Sequence, residues 1–173
     1  MNRQAQFQFS IDRVFDAPRD LVWKAWTDEV HLLEWWSPKG YKTLSTKVEL
    51  KPGGMFHYGL EAPNGHKFWG RFIYREITPQ ERLVFVLSFA DENGGIARHF
   101  MNPKWPAEIL NTVTFADLGG KTEVSLRSYP INATADEIAI FEAGAPGMQQ
   151  GFGGTFDQLA DYLANSKTKG DAS

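Results

Sequence analysis

The chain has 173 residues, 42% of them hydrophobic and 14% aromatic, with a net charge of −3 and no cysteine. That length and apolar content suit one domain whose core needs neither disulfides nor metal, and the missing cysteines exclude thiolate chemistry and Cys-based zinc sites. Scattered Lys and Arg under a negative net charge exclude the footprint of a nucleic-acid binder, and no run approaches the roughly 18 apolar residues of a membrane span, so a cytoplasmic protein without membrane insertion is expected.

Residues Gln6 to Phe15 alternate, with Phe7, Phe9, Ile11 and Val14 expected on one side, and read as a first strand. Asp16-Ala17-Pro18 opens a helix whose buried face is Leu21, Val22, Ala25 and Trp26, Pro being tolerated where a helix begins. Thr27-Asp28 breaks and recaps the chain into a second short helix with a stripe through Val30, Leu33 and Trp36, ended by Ser37-Pro38-Lys39-Gly40. Trp36 then belongs to the core, and Trp35 becomes a candidate for a pocket wall.

Six strands follow: Leu44 to Leu50, Met55 to Glu61, Lys67 to Ile77, Leu83 to Phe89, Glu108 to Phe115 and Thr122 to Tyr129. Asn64-Gly65 and Gly119-Gly120 suit two-residue hairpin loops. The second loop pairs Phe115 with Val124, Val113 with Leu126 and Asn111 with Ser128, a polar pair on an apolar face. The first groups Phe56, Tyr58, Leu60, Trp69, Arg71 and Ile73, taken as the inward side; the apolar residues left on the other side would suit a homodimer contact. The connection Asp91 to Pro106 is long, and its Phe100 and Trp105 are expected to fold over something. Thr134 with Glu137 makes a capping box before Ile138, Ile140 and Phe141.

From Glu142 to Leu163 the residues Met148, Phe152, Phe156, Leu159 and Leu163 recur at helical steps, while Gly144, Gly147, Gly151, Gly153 and Gly154 crowd the first half. Glycines cost a helix up to about 1 kcal/mol each relative to alanine, so something needs the room. Each strand needs a covered face, and the last helix is the long one, so the sheet must curl around it. One domain over residues 1–165 and a disordered tail over 166–173 are expected.

The element order, with VFDAPRDLVWKAWTDEVHLLEWWSPKGY near the start, LKPGGMFHYGLEAPNGHKFWGRFIYREITPQERLVFV in the middle and GMQQGFGGTFDQLADYL at the end, resembles the START-related SRPBCC superfamily. Within it the similarity is to bacterial proteins akin to the C-terminal domain of the heat-shock protein 90 ATPase activator, over about Phe7 to Leu163. The resemblance implies an α+β helix-grip fold: a curved antiparallel sheet of about seven strands gripping the C-terminal helix, with an apolar cavity between them. Related folds bind sterols, lipids, plant hormones and polyketides, and a minority are cyclases or hydrolases. A chaperone partner follows only from the family's name, because the eukaryotic activator's separate N-terminal domain has no counterpart in these 173 residues.

No metal site is expected, since histidines 31, 57, 66 and 99 show neither His-x3-His nor HExxH spacing, and no cofactor fingerprint is present. The leading expectation is a binder of a hydrophobic or aromatic small molecule between the sheet and Met148, Phe152 and Phe156. Trp35, Trp69, Val113 and Phe141 would form walls, and Tyr58, Arg71 and Asn111 would orient the ligand, Arg71 clamping an anion or hydroxyl. The rivals are a polyketide cyclase or hydrolase using His57, Tyr58 or Glu142 as acid or base, and a chaperone-cofactor module.

Overall fold

The computed structural model describes residues 7–99 and 102–172, with side chains through residue 165; Gln6 and Phe100, named above, lie outside the described residues. Strand β1 (Phe9–Phe15) leads into helices α1 (Arg19–Thr27) and α2 (Glu29–Trp35). Strands β2 (Lys42–Val48), β3 (Met55–Glu61), β4 (Lys67–Thr78), β5 (Arg82–Ala90), β6 (Ile96–Ala97), β7 (Ile109–Asp117) and β8 (Thr122–Pro130) follow. The chain closes with α3 (Ala135–Ala143) and α4 (Ala145–Ala172), whose range takes in residues expected as a tail. All strand pairs are antiparallel, in the order β1-β8-β7-β5-β4-β3-β2, with the two-residue β6 beside β5 as an eighth strand. This is an α+β fold in which the curved sheet wraps the long C-terminal helix.

The helix is held by the far half of its apolar stripe. Phe156 and Leu159 are fully buried and Leu163 nearly so. The Phe156 ring meets Phe15 at 5.8 Å and Trp26 at 6.1 Å, both edge to face. Trp26 in turn meets Trp35 and Trp36, at 5.1 and 5.9 Å, so α1, α2 and α4 are joined through one knot of rings under the sheet.

The second helix presents a different face from the one its sequence suggests. Val30 and Leu33 are 69% and 40% exposed, whereas Leu32 and Trp35 are buried. Asp28 caps the helix by accepting a hydrogen bond from the Val30 N–H at 2.9 Å, and the turn counted from that cap points Leu32 and Trp35 inward. Burial of the Trp35 indole is made tolerable by its N–H, which donates to the Ala25 carbonyl at 2.8 Å.

The two hairpin loops behave differently. At Gly119-Gly120 both glycines have positive φ, and the register pairs Asn111 with Ser128, Val113 with Leu126 and Phe115 with Val124, as a two-residue loop requires. Between β3 and β4, the Gly65 N–H donates to the Ala62 carbonyl and the Ala62 N–H to the His66 carbonyl, with Gly65 at φ 88. This is the three-residue loop Pro63-Asn64-Gly65, and the additional residue turns β4 over. The inward set is therefore Phe56, Tyr58 and Leu60 from β3 with Phe68, Gly70 and Phe72 from β4, while Trp69, Arg71 and Ile73 point to the convex side.

The glycines of the last helix divide by what lies beside them. A Cβ on Gly154 would sit 3.2 Å from the Lys39 backbone nitrogen, whereas Cβ atoms on Gly151 or Gly153 would meet nothing within 4 Å. Gly151→Ala and Gly153→Ala should each stabilise the fold by about 0.5–1 kcal/mol in urea denaturation, and Gly154→Ala should give no gain; equal gains at all three would contradict this packing.

Candidate functional site

The knot of tryptophans fills only one end of the concave side. At the other end the sheet diverges from the first turns of α4, where Met148 and Phe152 are half-buried, and a cavity of about 410 Å³ opens between them. Its floor is the inward face of β3, β4, β5 and β7, contributing Leu60, Phe68, Leu87, Phe89 and Ile109. Its roof is Phe141, Met148 and Phe152, and His99, Trp105 and Pro106 stand along one side.

Two glycines set the positions of the bulky rings here. Tyr58 lies directly across from Gly70, and a Cβ on Gly70 would fall 2.3 Å from the Tyr58 hydroxyl oxygen. Its ring rests on the bare backbone of β4 and against Trp36 at 5.6 Å. Burial pushes the Tyr58 phenol well above its ordinary value, the nearby Trp36 side chain offsetting this slightly, so it remains a protonated hydroxyl. At the mouth, a Cβ on Gly144 would sit 2.9 Å from the Trp105 ring, which packs against Phe141 at 5.5 Å. Gly144 ends α3, whose start carries the capping box of Thr134 and Glu137.

The polar groups of the wall are few. Asn111 and Ser128 face each other on β7 and β8, 1% and 2% exposed. The Ser128 hydroxyl donates to Asn111 Oδ1, and Asn111 Nδ2 donates to the Ile109 carbonyl at 3.0 Å. His99 accepts at Nδ1 from the Asn102 N–H at 3.2 Å, and partial burial lowers its pKa, which favours the neutral ring.

Of the residues singled out from sequence, Tyr58, Asn111, Phe141, Met148 and Phe152 line this cavity. Trp69 borders it from β4, but its indole crosses Gly59 on the convex side, where a Cβ on Gly59 would be 2.7 Å from Trp69 Nε1. Trp35, Val113 and Phe156 are fully buried in the packed half, outside the cavity. Arg71 is not a clamp: on the convex side its Nη1 donates to the Gly94 carbonyl at 3.0 Å. His57, its neighbour across the strands, is likewise outside, with Nε2 at 3.0 Å from the Asp91 carbonyl oxygen. Together they pin the β5–β6 turn, and the altered loop before β4 explains why Arg71 faces away. Glu142 is exposed on α3 and does not line the cavity.

Several wall residues were hidden from the sequence reading. Phe68 follows from the Pro63 turn, since Pro fits the second position of a type I turn and lengthens the loop by one residue. Leu87 and Phe89 then follow from their pairing with Phe72 and Gly70. Among the described residues, no group of His, Asp or Glu is placed to hold a metal, and no helix is long and apolar enough to cross a membrane.

The curved sheet, the C-terminal helix lying in its concavity and the apolar space between them define a helix-grip protein of the SRPBCC type. Residues 16–164 match the model of the family described as Activator of Hsp90 ATPase homolog 1-like protein, and the chain belongs to that family. Among solved structures it is similar to a protein from Arthrobacter aurescens (26% identity, TM-score 0.76, covering 92% of this chain and 87% of that one). Protein Ms6760 from Mycobacterium smegmatis has 22% identity and a TM-score of 0.75, with 91% of each chain covered. An AHSA1-like protein from Aeromonas hydrophila has 20% identity and a TM-score of 0.67, with 93% and 94% covered. No curated protein matches.

Gly70→Ala should cost about 1–3 kcal/mol by driving Tyr58 off the wall, an overpacking from which Tyr58→Leu should recover part of the loss. Gly59→Ala, opposed by the half-buried Trp69, should cost less in the same thermal melts; the reverse order would contradict the assignment of faces.

Proposed function

We propose that the protein binds a hydrophobic or aromatic small molecule in the cavity between the sheet and α4. The observation that carries this reading is an apolar space of about 410 Å³ walled by rings and aliphatic side chains. Small-molecule sites are typically about 300–1,000 Å³, mostly apolar, with a few placed polar groups. Asn111 and Ser128 supply such groups here. The small residues Gly144 and Gly147 at the rim keep the mouth from being filled by the helix itself.

Acid–base catalysis is a weaker reading. His57 and Glu142, its sequence candidates, stand away from the cavity, and the described lining residues include no Asp, Glu, Lys or Arg. Tyr58 and His99 are both shifted toward their neutral forms, which supplies no pair of separated acid and base.

Titration with the neutral fluorophore N-phenyl-1-naphthylamine tests the binding reading. One saturable site per chain is expected, with Met148→Trp, which fills the roof, lowering affinity at least tenfold, and Arg71→Ala leaving it unchanged. Saturation unaffected by Met148→Trp, or no binding at all, would overturn the reading.

A further inference from the structure

The same cavity carries information about the charge of its guest. None of its described lining residues is a Lys, Arg, Asp or Glu, in a chain with 18 basic and 21 acidic residues. Two arginines near the cavity are committed elsewhere. Arg71 lies on the convex side bonded to Gly94, and Arg98 is paired with Glu137 at 2.9 Å while also donating to the Trp105 carbonyl at 3.3 Å. An ionised guest would leave water without a counter-charge, at a cost that a neutral analogue of the same shape does not meet.

Asn111 and Ser128 offer a specific alternative. The carbonyl of Ile109 can only accept, so the side of the Asn111 amide facing it must be nitrogen, which fixes Oδ1 toward Ser128. Nδ2 spends one hydrogen on Ile109 and keeps a second; Ser128 spends its only hydrogen on Asn111 and keeps acceptor lone pairs. One N–H donor and one hydroxyl acceptor therefore stand together on a floor that is otherwise apolar except for Ser88 and the Tyr58 hydroxyl. A hydroxyl group uses both, a carbonyl uses the donor, and a carboxylate meets the donor but is opposed by the acceptor.

We infer that the cavity selects uncharged ligands that carry a hydroxyl or carbonyl, read by the Asn111–Ser128 pair, and rejects the corresponding carboxylates. This rests on the binding reading above and goes further, because that reading is silent on charge and Arg71, expected to clamp an anion or hydroxyl, is bonded to Gly94 on the convex side.

Three compounds of one shape separate the two claims by competition with N-phenyl-1-naphthylamine at pH 7: 2-methylnaphthalene, 2-naphthalenemethanol and 2-naphthoate. The expected order is the alcohol first, the hydrocarbon about tenfold weaker, and the carboxylate at least a hundredfold weaker than the alcohol. In the Asn111→Leu/Ser128→Ala double variant the alcohol should fall to the level of the hydrocarbon, whose affinity is retained. Ser128→Ala alone, a smaller perturbation, should lower the alcohol about threefold or more and leave the hydrocarbon in place. A carboxylate competing as well as the alcohol, or an alcohol advantage unchanged in the variants, would overturn the inference while the cavity reading stands. Failure of all three to compete with wild type would overturn both. The wild-type order alone decides the matter of charge if the double variant does not fold.

Discussion

Everything in this molecule depends on where the last helix is clamped. Phe156 is seated against the Phe15 and Trp26 rings, and Leu159 and Leu163 are buried further along the helix, so one half of the concave sheet is tightly filled. The other half receives only Met148 and Phe152, spaced along a run rich in glycine. A rigid rod fixed at one end over a curved surface cannot close on the surface at the other end without bending. The cavity is the consequence of that geometry; the indoles of the filled half meet edge to face, and Trp35 donates to the Ala25 carbonyl across the two short helices.

The walls are kept open by a second device, the pairing of large rings with bare backbone. Tyr58 over Gly70 on the concave side and Trp69 over Gly59 on the convex side are neighbouring cross-strand pairs, so one patch of the β3–β4 ribbon carries an aromatic laid on a glycine on each face. Each ring covers peptide groups that its glycine partner leaves uncovered, and Tyr58 on the concave side is held flat instead of projecting across the cavity. Trp105 against Gly144 repeats the arrangement at the mouth.

Much of the fold was legible because local chemistry and global packing agreed. Gly119-Gly120 needed two positive φ values and gave the β7–β8 register; Thr134 and Glu137 capped α3 as read. The candidate site was legible where it depended on that register, as with Asn111, or on helical spacing, as with Met148 and Phe152. It was misread where one residue of loop length decided a face. Pro63 made the β3–β4 loop three residues long, and this single difference exchanged Phe68 for Arg71 on the concave side. Val113 and Phe156, expected as ligand contacts, lie in the filled half instead, because period-two and helical patterns do not say how far along the interface between sheet and helix the packing is complete. In α2 the apolar residues at positions 30, 32, 33, 35 and 36 support more than one stripe, and only the contacts of Trp35 choose between them.

Ligand binding requires the apolar space between the sheet and the first turns of α4 to be open. Diffraction from a xenon-pressurised crystal probes that space, since xenon enters apolar voids and is visible by its scattering. Occupied xenon sites bounded by Leu60, Phe89 and Met148 are the predicted result. Side-chain density filling that space, or xenon bound only elsewhere, would contradict it.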